Sequence, residues 1–182
     1  MAFKHKTFLI SDTHFGHANA YKFKNDDGTP MRPWDSAEEA DEVMVDNWNK
    51  TVGEFDKVYH LGDVAISKRS IYIMGRLNGK KCLIKGNHDI FKLKDYLPYF
   101  YDIRGSHKIN NFILSHIPVH PREFERWSDG NIHGHLHENV VNYPNKWSKY
   151  GNVIKDPRYY SVCVEQINYT PINFEQIVEE MK

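Results

Sequence analysis

Apolar residues in this chain come in short blocks, and each block ends at a polar cluster. Thr7 to Ile10, a β-branched and aromatic run, stops at Ser11-Asp12-Thr13-His14. Lys57-Val58-Tyr59-His60-Leu61 runs into Gly62-Asp63, and Lys81-Cys82-Leu83-Ile84-Lys85 into Gly86-Asn87-His88-Asp89. Lys108 to Leu114 leads to Ser115-His116, and Asn131-Ile132-His133 leads to Gly134-His135-Leu136-His137. Short apolar runs bounded by turn formers predict buried strands, so five strands are expected to deliver their C-terminal ends into polar loops. Tyr99 to Ile103 and Tyr159 to Val164 read as further strands.

Helical spacing takes over elsewhere. Behind Ser36 as N-cap, with Glu38 and Glu39 in the first turn, Ala40, Val43, Met44 and Trp48 recur on one face to about Val52. Ser70 to Leu77 reads as a short helix, and Asn173 can cap a terminal helix carrying Phe174, Ile177, Val178 and Met181 on one face. Segments 19–35 and 142–158 are rich in Asn, Asp, Pro and aromatics and read as long irregular loops, which in compact domains are usually functional or mobile. Neither has the character of a linker, and there is no internal repeat.

Composition narrows the function classes. The 182 residues, 40% hydrophobic, suit a single domain spanning 1–182 with a substantial core. Lys plus Arg and Asp plus Glu each total 24, so no global basic field advertises nucleic acid or an anionic membrane. Cys82 and Cys163 fall within predicted apolar strands, which suits buried thiols in a reducing compartment, and a cytoplasmic address is expected. No apolar run is long enough to predict a membrane span or a signal peptide. Eleven histidines are the useful excess, and they point to metal or acid–base chemistry.

Collected from the loop starts, the candidate ligands are Asp12, His14, Asp63, Asn87, His116, His135 and His137. Imidazole, carboxylate and amide without thiolate suit hard-to-borderline divalent ions. Two ions about 3.5–4 Å apart, sharing a carboxylate, can grip a phosphate oxygen and present hydroxide in line with the leaving group. Asp12 and His14 are separated by one residue, as are His135 and His137, so a locally extended chain would project each pair the same way. Gly62, Gly86 and Gly134 allow close backbone approach and special dihedral angles. Asp and Asn often serve turns and caps instead, but turns do not require four histidines.

Other residues carry blander readings. His5, His60, His107 and His120 are expected on the surface or in the core, and His133 is expected to be structural. His17 could approach a bound phosphate or begin a helix; Arg32 and Trp34 could line the cleft or anchor their loop. Lys146, Lys149, Lys155 and Arg158, interleaved with Trp147, Tyr150, Tyr159 and Tyr160, could stack bases and neutralise phosphates. A solvated loop over aromatic core is the favoured reading of that segment.

Taken in order, these residues resemble the calcineurin-like metallophosphoesterases. Asp12-Thr13-His14 is similar to the family's D-x-H motif, Gly62-Asp63 to GD, Gly86-Asn87-His88-Asp89 to GNH-D/E, His116 to its isolated histidine, and Gly134-His135-Leu136-His137 to GH-x-H. Ser161 to Ile177, including Tyr169-Thr170-Pro171, resembles the tail of small phage or bacterial members. The resemblance implies an α/β fold of two stacked mixed β-sheets flanked by helices. It implies one ion held by Asp12, His14, Asp63 and His137, a second held by Asp63, Asn87, His116 and His135, and Asp63 as the bridge. His88 would face the phosphate, so that His88 and Asp63 carry the catalysis. The implied cofactors are two divalent ions, Mn²⁺ first, with Fe, Zn²⁺ or Ni²⁺ as substitutes. The implied reaction is hydrolysis of a phosphoester by a hydroxide between the ions, with phosphodiesters slightly ahead and small molecules or nucleotides ahead of polymers. A phosphomonoesterase acting on nucleotides or other small phosphates is one alternative; a nucleic-acid-binding module using segment 142–158 is another. A non-catalytic scaffold of the same fold would be expected to have lost ligands, and here all motifs are complete. Gly62-Asp63 continues Val64-Ala65-Ile66-Ser67, without the second aspartate and the arginine of the phosphoprotein phosphatase branch, so that activity is not expected. Orientation of His88 then falls to Asp89 or to a backbone carbonyl.

Overall fold

A computed structural model describes residues 5–19, 22, 24, 28–30, 32–123, 128–147 and 153–182, with the backbone alone for 144–147 and 153. Strand β1 is Thr7–Ile10, β2 Lys57–His60, β3 Lys80–Ile84 and β4 Asp102–Arg104. These four are parallel neighbours, and β11 (Ile172–Asn173) closes the other edge antiparallel to β1. The second sheet runs β10 (Tyr159–Ser161), β7 (Gly130–His133), β6 (Phe112–Ser115) and β5 (Ser106–Ile109). Within it, β10, β7 and β6 are parallel and β5 is antiparallel to β6. Helices α1 (Ala37–Thr51), α2 (Leu93–Tyr96) and α3 (Phe174–Glu180) flank these two mixed sheets, the architecture that the resemblance implied.

Side-chain alternation explains the layering. Phe8 and Ile10 of β1, Val58 of β2 and Leu83 of β3 point to one face, where they pack with Met44, Val45 and Trp48 of α1. Leu9, Tyr59, Cys82 and Ile84 point to the other, against Phe112 and Leu114 of β6, Ile132 of β7, and Phe174 and Ile177 of α3. The first sheet is thus buried on both faces, as parallel sheets require. Helix α1 begins as predicted, with Ser36 Oγ accepting the Glu39 amide at 3.1 Å; Val45 rather than Val43 lies on its buried face.

Several elements differ from the sequence reading. The run Lys108 to Leu114 is two strands: Asn110, at φ 49°, turns the chain between β5 and β6. Of the predicted 99–103 strand, Asp102 and Ile103 pair with β3 and Tyr101 N–H donates to Lys81 O at 3.0 Å, while Tyr99 and Phe100 bond back to Tyr96 as a turn. The short helix predicted from Ser70 forms as a 3-10 helix and ends at Arg76, one residue before Leu77. Within the expected irregular loop 142–158, β8 (Asn142–Trp147) and β9 (Val153–Lys155) form a two-stranded sheet. Lys149 and Tyr150, and the side chains of Lys146 and Trp147, lie outside the described residues. Both cysteines are buried free thiols. Among the described residues no helix is long and apolar enough to cross a membrane.

Candidate metal centre

Every candidate ligand follows the C-terminal end of a parallel strand, and the loops continue the pairing beyond the sheets. Asp12 N–H donates to Gly62 O at 3.0 Å, His14 N–H to Asp63 O at 3.0 Å, and Gly134 N–H to His116 O at 2.9 Å. Residues 162–164 join the two layers: Val162 N–H donates to His133 O at 2.8 Å, and Ser11 N–H donates to Val162 O at 2.8 Å. The β1, β2 and β3 loops therefore meet the β6 and β7 loops at one end of the sandwich.

The paired ligands do not lie on extended backbone, as the one-residue spacing suggested. Asp12 (φ 59°), His14 (47°), Asp63 (58°), His135 (73°) and His137 (51°) all adopt the left-handed region. For residues with a Cβ this conformation costs on the order of 1–3 kcal/mol each and persists only where the surroundings enforce it, characteristically at functional sites. Five of the eight non-glycine residues described with positive φ are candidate ligands, so the strain is concentrated where the donors converge. Gly62, at φ 97°, makes the turn into Asp63, and a Cβ on Gly86 would collide with Asp63 Oδ1.

One donor atom from each of Asp12, His14 and His137 lies within 4.8 Å of the others, and Asp12, Asp63 and His116 form a second such group. These groups can hold metal ions. Asp63 Oδ2 lies 3.7 Å from His14 Nε2 and 3.4 Å from His116 Nε2, so both carboxylates span the histidines of the two groups. Asn87 Oδ1 is 2.8 Å from His116 Nε2. The His135 ring lies beside His116, centroids 5.1 Å apart, outside both groups. His88 is exposed, its ring centroid 5.5 Å from that of His14, and its N–H donates to Asp63 Oδ1 at 2.8 Å. His17, half-buried with its ring 6.0 Å from that of His14, lines a small pocket with Arg32, Trp34 and Asp41.

Several of the remaining atoms of these ligands are held by other groups. Asp12 Oδ2 accepts the His135 N–H at 2.9 Å and the Cys163 thiol at 3.3 Å. His116 Nδ1 donates to Leu61 O at 2.7 Å, and His137 Nδ1 lies 3.2 Å from Glu165 Oε2. Of the ligand atoms buried without a hydrogen-bond partner, which include His14 Nδ1 and His137 Nδ1, Asp12 Oδ1 faces the histidines, 3.8 Å from His14 Nε2 and 3.9 Å from His137 Nε2. Those separations are too long for hydrogen bonds yet suit donors sharing an ion at about 2.0–2.2 Å from each. A buried carboxylate oxygen without a donor is costly unless a cation supplies the partner. The donor set fits divalent metal.

Burial and mutual charge set the ionisation of these groups. Burial pushes the Asp12 carboxyl above its usual range. Burial also lowers His14 to about 2, leaving its imidazole neutral and able to ligate. Burial would raise Asp63, but hydrogen bonding to His116 and its charge outweigh that and hold Asp63 at about 2. His116 is pushed up despite burial, chiefly by its bond to Asp63.

Sequence reasoning named Asp89, Arg32, His60 and His133 but missed Glu165 and the bracing roles of Asp89 and Arg32. Asp89, buried, accepts the amides of Asp63 (2.9 Å), Val64 (3.0 Å) and Gly86 (2.8 Å), stapling two ligand loops together. Buried Arg32 donates to Thr13 O (3.0 Å), Asp12 O (2.9 Å) and Glu165, so it anchors the first ligand loop. Glu165 directly follows the predicted strand ending at Val164, and the strand-end pattern that found the other ligands would have flagged it. His60 is buried in the core with Nε2 3.0 Å from Thr13 Oγ1, and buried His133 bonds Gly134 O at 2.8 Å.

No family model matches the chain. It is 34% identical over 180 residues to the uncharacterized protein MJ1445 of Methanocaldococcus jannaschii, covering 96% of this chain and 90% of that protein. The chain belongs to the MJ1445 family. A phage relative is the gene 66 protein of Mycobacterium phage D29, 30% identical over 169 residues that cover 74% of this chain and 79% of that one. Among solved structures, the protein of unknown function AQ665 from Aquifex aeolicus superposes with a TM-score of 0.70 at 25% identity, over 97% of this chain and 99% of that one. The MJ1445 family fold is therefore shared nearly end to end with that protein.

Proposed function

We propose that this member of the MJ1445 family is a calcineurin-like, dinuclear-metal-dependent phosphoesterase. One observation carries the reading: Asp12 Oδ1, buried without a hydrogen-bond partner, and Asp63 Oδ2 lie among the imidazole Nε2 atoms of the two donor groups. Asp12, His14, Asp63 and His137 would hold one ion, and Asp63, Asn87, His116 and His135 the other. Mn²⁺, or Fe, Zn²⁺ or Ni²⁺ in its place, would supply Lewis acidity toward a phosphoryl oxygen and acidify water to a nucleophile at neutral pH.

The chain's own groups do the rest. The Asp63 carboxylate presents Oδ2 to both histidine groups, while its Oδ1 is held by the His88 amide. His88, exposed beside His14, is placed to bond a phosphoryl oxygen and to protonate the leaving oxygen. His17 stands at the flank as a further substrate contact. Arg32, the cation lining the pocket, is spent on two carbonyls and Glu165, so it offers nothing to the second ionised oxygen of a monoester. That favours phosphodiesters.

Nucleic-acid binding by segment 142–158 has less support. Arg158 is paired with Asp156 at 2.6 Å, and Tyr159 is buried with its hydroxyl donating to Val119 O at 2.7 Å. The deciding experiment is a panel of mono-, di- and cyclic phosphoesters offered to metal-stripped protein reconstituted with single metals. Hydrolysis restored by Mn²⁺, faster on bis-nitrophenyl phosphate than on nitrophenyl phosphate, is expected. Hydrolysis that survives stripping, or none on any ester after reconstitution, would overturn the reading.

A further inference from the structure

Glu165 is a buried carboxylate that no motif accounts for. Its side chain is 6% exposed, and it lies on the segment that ties the two sheets together. One oxygen, Oε2, is 3.2 Å from His137 Nδ1. The other, Oε1, accepts from Arg32 at 3.2 and 3.3 Å, and the same guanidinium holds the carbonyls of Asp12 and Thr13. Glu165 approaches His137 from the side of the ring away from Asp12, whose Oδ1 faces Nε2 at 3.9 Å. At 3.2 Å the carboxylate is an ion-pair neighbour of Nδ1 without hydrogen-bond alignment, and its charge favours the proton on Nδ1, the tautomer that leaves the Nε2 lone pair free for a cation. His116, by contrast, has only the neutral carbonyl of Leu61 behind it.

We propose that Glu165, held by Arg32, is a positioning residue that orients His137 and sets the affinity of the Asp12–His14–His137 ion position without touching that ion. This rests on the dinuclear reading above. Arg32 adds mechanical coupling: it bonds the loop carrying Asp12 and His14 as well as the residue behind His137, so ligands more than 120 positions apart share one brace.

The test is Mn²⁺ binding to metal-stripped protein, followed by the electron paramagnetic resonance signal of free Mn²⁺, for wild type, Glu165→Gln and Glu165→Ala. Wild type is expected to saturate at two ions. Glu165→Ala should weaken one of them about 10–100-fold and leave the other unchanged, the usual range for an outer-shell partner. Glu165→Gln keeps an acceptor for Nδ1–H without the charge and should restore part of the loss. In the His137→Ala background, Glu165→Ala should have no further effect. Long-range ¹H–¹⁵N correlation of the Zn²⁺-loaded protein should show His137 protonated at Nδ1 in wild type and Glu165→Gln. Should Glu165→Ala fail to fold, Glu165→Gln alone must still weaken one ion. Two wild-type ions with undiminished binding in the folded Glu165 variants would overturn this proposal alone. A wild type that binds no Mn²⁺ would overturn the dinuclear reading and this proposal with it.

Discussion

The two donor groups share Asp12 but are braced differently. Behind Asp12–His14–His137 stand side chains from distant segments: Glu165 against His137, Arg32 on the loop carbonyls, and Asp41, whose carboxylate accepts the Gly16 N–H just beyond His14. Behind Asp12–Asp63–His116 stands mostly main chain: Leu61 O holds His116, the His88 amide holds Asp63, and Asp89 gathers the amides of both loops. A main-chain brace survives most substitutions, whereas a side-chain brace can be removed or tuned by one. On the proposed function, the first group is where affinity would be adjustable and the second is where the site would be robust, apart from Asp89.

Removing a carboxylate that serves both groups should erase the distinction. Asp63→Asn is expected to lower kcat/KM for a phosphodiester by on the order of 10³-fold or more, beyond the range of an outer-shell change, whereas His17→Ala should lose no more than about tenfold on the same scale. Equal losses in the two variants, measured side by side, would deny Asp63 its shared position. His88→Ala touches neither group, so both ions should remain by elemental analysis while kcat falls about 10²–10⁴-fold, less for nitrophenolate than for alkoxide leaving groups. A defect independent of the leaving group would leave His88 with charge stabilisation only.

Asp89→Ala tests the exception in the second group. Losing a buried acceptor of three amides should lower unfolding free energy by about 3–5 kcal/mol in urea titrations. A change under about 1 kcal/mol would mean that the loops hold without the staple. The smallest effect is on the first group. Burial raises the Asp41 carboxyl to about 6. The native state therefore holds this proton more tightly than the unfolded chain, so stability falls as pH rises from about 4 to about 6 and stays lower above that. Asp41→Asn should remove up to about 2–3 kcal/mol of that fall. Parallel pH profiles of urea midpoints for wild type and variant, with no difference in shape, would contradict it.

Much of this was legible beforehand because strand ends are marked locally. A run such as Thr7 to Ile10 followed by Asp12 and His14 carries its own signal, and α1 announced itself through Ser36 and the spacing to Trp48. The hairpin at Asn110 was hidden because apolar residues continue on both sides of the turn. The β8 and β9 pair was hidden by a composition that reads as loop. Left-handed backbone at the ligands could not be read from spacing, because it is imposed by the neighbouring loops rather than preferred by Asp or His. The Arg32–Glu165–His137 brace joins segments whose proximity exists only once the sheets are stacked.

The proposed function depends on two cations between those groups. Metal-stripped protein titrated with Mn²⁺, with bound metal counted by elemental analysis and the fold followed by circular dichroism, tests that claim most directly. The expected result is saturation at two ions per chain in wild type, with Asp63→Asn losing at least one. Saturation at one ion or none, with the native fold intact, would contradict the account.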